Sequence, residues 1–178
     1  MDFARNTKAF DHVQIVPRSL TDMENPSTET SVYGIPMKMP IMMSPAAAQG
    51  LAHARGEMAT VEGMAAAGTI MAQSTYGNTT IADTARAGKG ASQFFQLYMS
   101  KDWNFNKALL NEAVQAGIKA IILTVDATVG GYREADRINN FQFPCLWLIL
   151  KDTPVLMVKA RVSARFTQQR LRKLALMM

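Results

Sequence analysis

Apolar residues form four short continuous runs along the chain, and segments of helical periodicity lie between them. The runs occupy residues 41–43, 69–71, 94–97 and 120–125, and their centres are roughly 24 to 29 residues apart. Continuous apolar runs of this length are typical of strands that are buried on both faces of a parallel sheet. The pattern therefore predicts four parallel strands.

Helical periodicity is present in residues 57–67, 81–87 and 106–116, and a glycine directly follows each segment, as is common at helix ends. The predicted apolar faces consist of Met58, Val61, Met64 and Ala65 in the first segment and of Ala108, Leu109, Ala113 and Val114 in the third. Alternating strands and helices indicate right-handed βαβ units and an α/β fold. Periodicity does not separate a doubly wound sheet from a barrel, but no Gly-x-Gly-x-x-Gly follows any run, which disfavours a dinucleotide-binding sheet.

The first forty residues have a different pattern. Residues 10–17 alternate between apolar and polar, which predicts a short exposed strand. The polar stretch 21–30 predicts a loop, and residues 32–39 predict a hairpin around Gly34. We expect residues 1–40 to form a cap over one end of a barrel.

The chain has 178 residues, of which 48% are apolar, so it has a globular composition and enough length for one domain. A complete eight-stranded α/β barrel needs about 250 residues. No apolar run of about 18 residues is present to span a membrane, and the N-terminus lacks the apolar core of a secretory signal. The single cysteine, Cys145, cannot form an internal disulfide. These features favour a reduced, cytoplasmic setting.

The net charge of +5 is concentrated at one end of the chain. Residues 1–144 contain 12 Lys/Arg and 13 Asp/Glu, whereas residues 145–178 contain seven Lys/Arg and one acidic residue. The body is therefore nearly neutral and offers no basic face for phosphates, which argues against a nucleic-acid partner.

In parallel α/β folds the functional site lies at the carboxyl ends of the strands. The small or polar residues at these positions are Pro45, Ala46, Ala47, Ser74, Gln96, Tyr98 and Thr124. Small residues allow a flat ring to lie close to the backbone, and hydroxyls and amides can hydrogen-bond the edge of a heteroaromatic cofactor. Arg133 follows a Gly-Gly turn and could bind a substrate carboxylate with two hydrogen bonds.

Each polar candidate also has an ordinary structural interpretation. Ser74 or Thr124 could cap the following helix. Tyr98 could be a core or rim aromatic, and Arg133, beside acidic residues, could be a solvated charge. His53 is interpreted as structural. No spacing of Cys, His and carboxylates indicates a metal site or a Cys/His nucleophile.

Five ordered segments resemble the FMN-dependent 2-hydroxy-acid oxidase and dehydrogenase family, most of all its lactate- and glycolate-oxidising branch. They are residues 45–53 (PAAAQGLAH), 68–74 (GTIMAQS), 94–98 (FFQLY), 123–126 (LTVD) and 131–136 (GYREAD) with 139–141 (NNF). The resemblance covers residues 6–144 without a break. It implies a TIM (β/α)8 barrel, of which residues 41–144 would form an incomplete part, about the first four βα units.

The resemblance implies FMN as cofactor and an L-2-hydroxy acid as substrate, most simply L-lactate oxidised to pyruvate. FMN would be bound by a backbone segment and by three side chains at the ring edge, namely Pro45, Ala46, Ala47, Ser74, Gln96 and Thr124. Tyr98 would contact the substrate, and Arg133 would bind its carboxylate. Oxygen or another acceptor would reoxidise the flavin, and the parent enzyme would be a homo-oligomer without a membrane or nucleic-acid partner.

Several residues of the family have no counterpart in this sequence. They are an N-terminal tyrosine that contacts substrate, the lysine near the flavin, the catalytic histidine, a second substrate arginine and the phosphate-binding loops. We therefore expect the chain to be inactive by itself. The alternative is a non-catalytic fragment that binds flavin weakly or self-associates, since half a barrel leaves two sheet edges unpaired.

Residues 145–178 form a basic tail to which the resemblance does not extend. Read in a shifted frame, the degenerate codons permit a glycine-containing loop and a helix of the family's type, so we interpret the tail as frameshifted or disordered. The coding DNA would exclude a frameshift if no single-base change near Pro144 restored the family's frame. A basic amphipathic helix over 161–173 is disfavoured because its apolar stripe is thin.

Overall fold

A parallel sheet, flanked by helices on one face and a hairpin on the other, organises the computed structural model, which describes residues 3–20, 24–126 and 131–141. The elements in chain order are α1 (Phe3–Lys8), a 3-10 turn (Ala9–His12), β1 (Thr30–Val32), β2 (Ile35–Met37), a 3-10 turn (Gln49–Leu51), α2 (Gly56–Ala67), β3 (Met71–Gln73), α3 (Ile81–Ala87), β4 (Gln93–Tyr98), α4 (Trp103–Gln115), β5 (Ala120–Thr124) and α5 (Glu134–Ile138). The basic tail and the predicted frameshift lie outside the described residues.

The sheet has the strand order β3-β4-β5, and both pairings are parallel. The α/β prediction with a parallel sheet is therefore confirmed. The predicted strand 41–43 is reduced to one parallel bridge, in which Met43 N–H donates to Ile70 O (3.0 Å) and Met43 O accepts from Ala72 N–H (2.9 Å). In the described residues β5 pairs with β4 on one side, so its outer edge carries unpaired backbone groups.

The second predicted strand begins two residues later than expected, at Met71. The reason is the end of α2, where Gly68 adopts a left-handed conformation (φ 68°). Thr69 N–H then donates to Met64 O at 3.0 Å, so this N–H group satisfies a helix carbonyl rather than a neighbouring strand.

Side chains of β4 and β5 alternate strictly between two environments, as expected for strands. One face packs against the inner surfaces of α3 and α4, in a cluster of Ile81, Phe95, Leu97, Leu109, Leu110 and Ala113. The opposite face meets the β1–β2 hairpin in a second cluster of Met37, Ile70, Ala72 and Phe94. The hairpin covers the amino-terminal half of that face and leaves the carboxyl ends of the strands to other residues.

The third predicted helix begins earlier than expected, and its buried face is confirmed at Leu109 and Ala113 but not at Ala108 and Val114. Asp102 caps α4, because its Oδ1 accepts from Asn104 N–H (2.9 Å) and Phe105 N–H (3.4 Å), so the helix begins at Trp103. Its buried residues are Asn106, Leu109, Leu110 and Ala113, whereas the predicted Ala108 and Val114 are exposed. In α2 Val61 is buried as predicted, Met58, Met64 and Ala65 are half-buried, and the unpredicted Glu57 is buried.

The N-terminal region combines a confirmed hairpin with a wrong prediction. β1 and β2 pair in antiparallel register around Tyr33 and Gly34. Residues 10–17 were expected to form a strand, but they lie partly in the 3-10 turn and otherwise in irregular, exposed backbone. In the described residues no strand pairs with this segment, and alternation without a partner strand does not form a sheet. No helix among the described residues is long and apolar enough to cross a membrane.

Candidate functional site

The carboxyl ends of the three parallel strands are joined by the side chain of Gln96. Its Nε2 donates to Thr124 Oγ1 at 2.9 Å, and its Oε1 accepts from Ser74 Oγ at 3.4 Å. Thr75 N–H also donates to Oε1 at 3.1 Å, which fixes the orientation of the amide, because only the oxygen can face this donor. Gln96 and Ser74 are each 2% exposed. The structure thus brings together the three polar side chains that the sequence indicates.

Thr75 is part of this cluster although sequence reasoning did not find it. Its hydroxyl donates to Gln96 O and accepts from Tyr98 N–H at 3.1 Å. This hydroxyl therefore bridges β4 to the loop after β3 where the regular ladder has ended. The only available signal was a second hydroxyl residue next to Ser74, which by itself does not distinguish a buried bridge from a surface turn.

Neither Ser74 nor Thr124 caps the next described helix, which is α3 for Ser74 and α5 for Thr124. Thr80 caps α3, since its hydroxyl accepts from Asp83 N–H at 3.1 Å. Ser74 Oγ instead accepts from Tyr76 N–H at 3.1 Å, in the loop that follows β3. Thr124 Oγ1 accepts from Gln96. Both hydroxyls therefore serve the strand-end cluster.

The small-residue segment after Met43 reaches the same edge of the sheet. Ala48 N–H donates to Tyr76 O at 3.0 Å, and Gln49 Nε2 donates to Ala46 O at 3.2 Å. Pro45 and Ala46 are half-buried, and Ala47 is exposed. The backbone of this segment is therefore held next to the loop after β3.

Tyr98 forms an aromatic pair with Tyr76 at the end of β4. The ring centroids are 5.4 Å apart with an interplanar angle of 41°, a distance within the range of favourable aromatic pairs. Burial, with a smaller contribution from the neighbouring Tyr98, raises the pKa of Tyr76 above its ordinary value. Both phenols are therefore part of a partly apolar wall beside the polar cluster.

Arg133 is not hydrogen-bonded to this network among the described residues. It is exposed and directly precedes α5, and no hydrogen bond or ion pair in the described part of the chain connects it to Ser74, Gln96 or Thr124. The neighbouring Arg137 guanidinium stacks over the Tyr132 ring, 5.2 Å from its centroid. The structure therefore places Arg133 on an exposed segment after β5 without defining what it binds.

The two histidines have no place in the cluster. His12 and His53 are exposed, and His53 Nδ1 accepts from Arg55 N–H at 3.1 Å in the turn before α2. This bond agrees with the structural interpretation of His53. Among the described residues, no group of three His, Cys, Asp or Glu side chains is arranged to hold a metal ion.

The cluster retains hydrogen-bonding capacity for a ligand. The Gln96 amide nitrogen has two hydrogens, and one is used by Thr124. Thr124 Oγ1 accepts that bond, and no described residue accepts the hydroxyl proton of Thr124. A planar ring with carbonyl and imine acceptors along one edge would suit these donors, and the small residues 45–48 leave its face accessible.

Comparisons with known proteins show the family to which the chain belongs. A family model described as FMN-dependent dehydrogenase matches residues 1–175. L-lactate oxidase from Lentilactobacillus hilgardii is 69% identical over 139 residues, which are 78% of this chain and 38% of that protein. Glycolate oxidase from Spinacia oleracea is 43% identical over 141 residues, 79% of this chain and 38% of that protein. The chain thus spans less than half the length of these relatives.

A solved structure also matches. The crystal structure of a lactate oxidase from Pediococcus acidilactici superimposes with a TM-score of 0.79 at 59% identity, over 83% of this chain and 41% of that one. The family model, the relatives and this structural match show that the chain belongs to the family of FMN-dependent dehydrogenases, whose cofactor is FMN.

Proposed function

We propose that the carboxyl ends of β3, β4 and β5 hold the ring of FMN for the oxidation of an L-2-hydroxy acid, with L-lactate to pyruvate as the first choice. The observation that carries this proposal is the Ser74–Gln96–Thr124 cluster at the carboxyl edge of three parallel strands, in which Ser74 and Gln96 are buried and Thr124 is half-buried. The substrate is inferred from relatives that are named L-lactate oxidases. Glycolate is the next candidate.

The residues of this chain would bind and orient the cofactor. Gln96 Nε2 and the Thr124 hydroxyl would donate to acceptors on the ring edge, and the segment Pro45, Ala46 and Ala47 would support the ring through its backbone. When bound, FMN supplies the two-electron acceptor for the hydride or its equivalent that leaves the substrate carbon. Tyr98 would line the substrate side, and Arg133 would bind the substrate carboxylate.

The reaction also needs a base for the substrate hydroxyl proton. The chain has two histidines, both are exposed, and among the described residues neither is hydrogen-bonded to Ser74, Gln96 or Thr124. General-base catalysis is worth about 10² to 10⁴ in rate. We therefore propose that this chain by itself binds FMN weakly and does not turn over L-lactate at a useful rate.

The test uses the purified 178-residue chain. FMN is titrated and its fluorescence followed, and then L-lactate is added without oxygen while the flavin absorbance is recorded. Saturable binding without bleaching is expected. No saturable FMN binding would overturn the flavin site, and bleaching by L-lactate, but not by D-lactate, would overturn the proposed inactivity and require another base.

A matched pair of variants tests the role of the cluster. Gln96→Ala removes the amide that joins Ser74, Thr75 and Thr124. Loss of buried hydrogen bonds costs about 1–3 kcal/mol, so Kd for FMN should rise by about tenfold or more. Gln115→Ala, which changes an exposed glutamine at the end of α4, should leave Kd unchanged. Equal Kd values for the two variants would contradict the assignment of Gln96.

A further inference from the structure

Glu57 is a carboxylate with no exposed surface, in the first turn of α2. Its Oε1 and Oε2 accept from Asn78 N–H at 3.0 and 3.1 Å, and Oε2 also accepts from Thr79 Oγ1 at 3.0 Å. All of these donors belong to the loop between β3 and α3. The side chain thus reaches from one helix to a loop 21 residues later in the sequence.

The burial of this charge requires compensation, because an unpaired buried carboxylate is strongly unfavourable. No Lys or Arg forms an ion pair with Glu57 among the described residues. The compensation comes from hydrogen-bond donors and from the position of Glu57 at the amino end of α2, where the helix dipole favours a negative charge. A carboxylate in such a place holds its donors tightly, since each donor that leaves removes part of the compensation for a buried charge.

The loop that Glu57 holds is the one that carries the proposed flavin contacts. At its start Thr75 N–H binds Gln96 Oε1, and in its middle Tyr76 O accepts from Ala48 N–H. At its end Thr79 O accepts from Gln73 Nε2 at 3.0 Å. The loop from Ser74 to Thr79 is therefore fixed at both ends and in the middle, and the charged contact is the one from Glu57.

The same loop also holds the segment that would lie against the ring. Asn78, whose N–H binds Glu57, accepts through Oδ1 from Gly50 N–H at 2.7 Å. Displacement of Asn78 would therefore move the small-residue segment before Gly50 together with Ser74 and Thr75. One buried side chain thus sets the position of both parts of the site.

We propose that Glu57 is a positioning residue for the flavin site, an inference that rests on the proposed function. It acts through Asn78 and Thr79, which order the loop after β3, and not through contact with the cofactor. This arrangement places the carboxylate behind the site, on the α2 side of the loop.

The experiment compares two Glu57 variants with a packing control in the full chain. Glu57→Gln keeps the size of the side chain but replaces one acceptor oxygen by a donor. Glu57→Asp keeps the charge and shortens its reach. Val61→Ala, at a residue that is 1% exposed one turn further along α2, disturbs the packing of the same helix without touching the loop. Three quantities are measured for each protein: the urea midpoint, Kd for FMN, and hydrogen exchange of the segment 74–79 without flavin.

We expect Glu57→Gln to raise Kd for FMN by about tenfold and to speed hydrogen exchange at Asn78 by a similar factor. Glu57→Asp, which keeps the charge, should change both quantities less. Val61→Ala should lower the urea midpoint with little change in either quantity. If Glu57→Gln and Val61→Ala changed Kd and exchange equally, Glu57 would be merely structural and the proposal would be wrong.

The design separates this proposal from the proposed function. An unaltered chain that does not bind FMN would overturn the flavin site, and with it the flavin role of Glu57, while the exchange data would still show whether Glu57 orders the loop. FMN binding that persists unchanged in Glu57→Gln would overturn the role of Glu57 and leave the flavin site in place.

Discussion

Gly50 N–H donates to Asn78 Oδ1 at 2.7 Å, and a Cβ atom on Gly50 would lie 2.8 Å from the same oxygen. This contact joins the small-residue segment after Met43 to the loop after β3. Gly50 does not adopt a positive φ angle. A larger residue at position 50 is therefore excluded by the close contact with Asn78, and not by the backbone conformation.

Gly50→Ala should consequently destabilise the chain, by about 1–2 kcal/mol, because Asn78 must move and a buried hydrogen bond is weakened. Gly63→Ala provides a control of opposite sign. Gly63 is exposed in the interior of α2 with nothing near its missing Cβ, so alanine should stabilise the helix by about 0.5–1 kcal/mol. Urea unfolding of both variants checks this pair, and a shift in the same direction for both would contradict it.

Among the residues that the structure describes, Phe95 is the largest fully buried side chain, with 0% exposure in the cluster between the sheet and α3–α4. Phe95→Ala should lower the free energy of unfolding by about 3–5 kcal/mol, through lost burial and the cavity that remains. Phe141→Ala, at a residue that is 45% exposed, should cost much less. Chemical denaturation followed by circular dichroism measures both, and equal losses would show that the described core is not the folded core in solution.

Asp102 caps α4 through two backbone N–H groups. Asp102→Ala should therefore destabilise the protein by about 1 kcal/mol, whereas Asn111→Ala, at an exposed position within α4, should be neutral or slightly stabilising because alanine is the better helix former. The midpoints of thermal unfolding of the two variants test this prediction. An unchanged midpoint for Asp102→Ala would mean that the helix begins later, as the sequence pattern had indicated.

The strands and the strand-end cluster could be predicted because both depend on local patterns. The runs that became β4 and β5 are apolar and continuous, and parallel strands place their carboxyl ends at one edge. Ser74, Gln96 and Thr124 follow from that rule without knowledge of packing. The same rule does not predict the position of Arg133 relative to this edge, because that position depends on the path of the chain after β5.

Other features depend on three-dimensional contacts and could not be predicted from a pattern. Glu57, in a helical first turn, has the appearance of a solvated acidic residue that complements the helix dipole. Its burial is set by donors 21 residues away. The strand prediction for residues 10–17 was wrong for the converse reason. The alternation of apolar and polar residues is correct for a strand, but the described structure provides no strand beside it.

Tyr76 should make the stability of the chain depend on pH in the alkaline range. Its pKa is raised by burial and by the neighbouring Tyr98, so the folded state keeps the phenol proton to a higher pH than the unfolded state, where tyrosine titrates at about 10. The stabilisation is therefore fully present below about pH 10 and is lost as pH rises through the folded pKa of Tyr76.

Tyr76→Phe should reduce the loss of stability at alkaline pH. It should also remove the phase of highest pH from a titration of tyrosinate absorbance. Tyr33→Phe, at a residue that is 90% exposed, should change neither. The free energy of unfolding is measured from about pH 8 to about pH 11 for the three proteins, a range that extends about two units below and about one unit above the ordinary tyrosine pKa. Since lysines titrate in the same range in all three, the difference between variants is the informative quantity. Parallel curves for the unaltered chain and Tyr76→Phe would contradict the partial desolvation of Tyr76 beside Tyr98, and with it the partly apolar wall proposed for the substrate side.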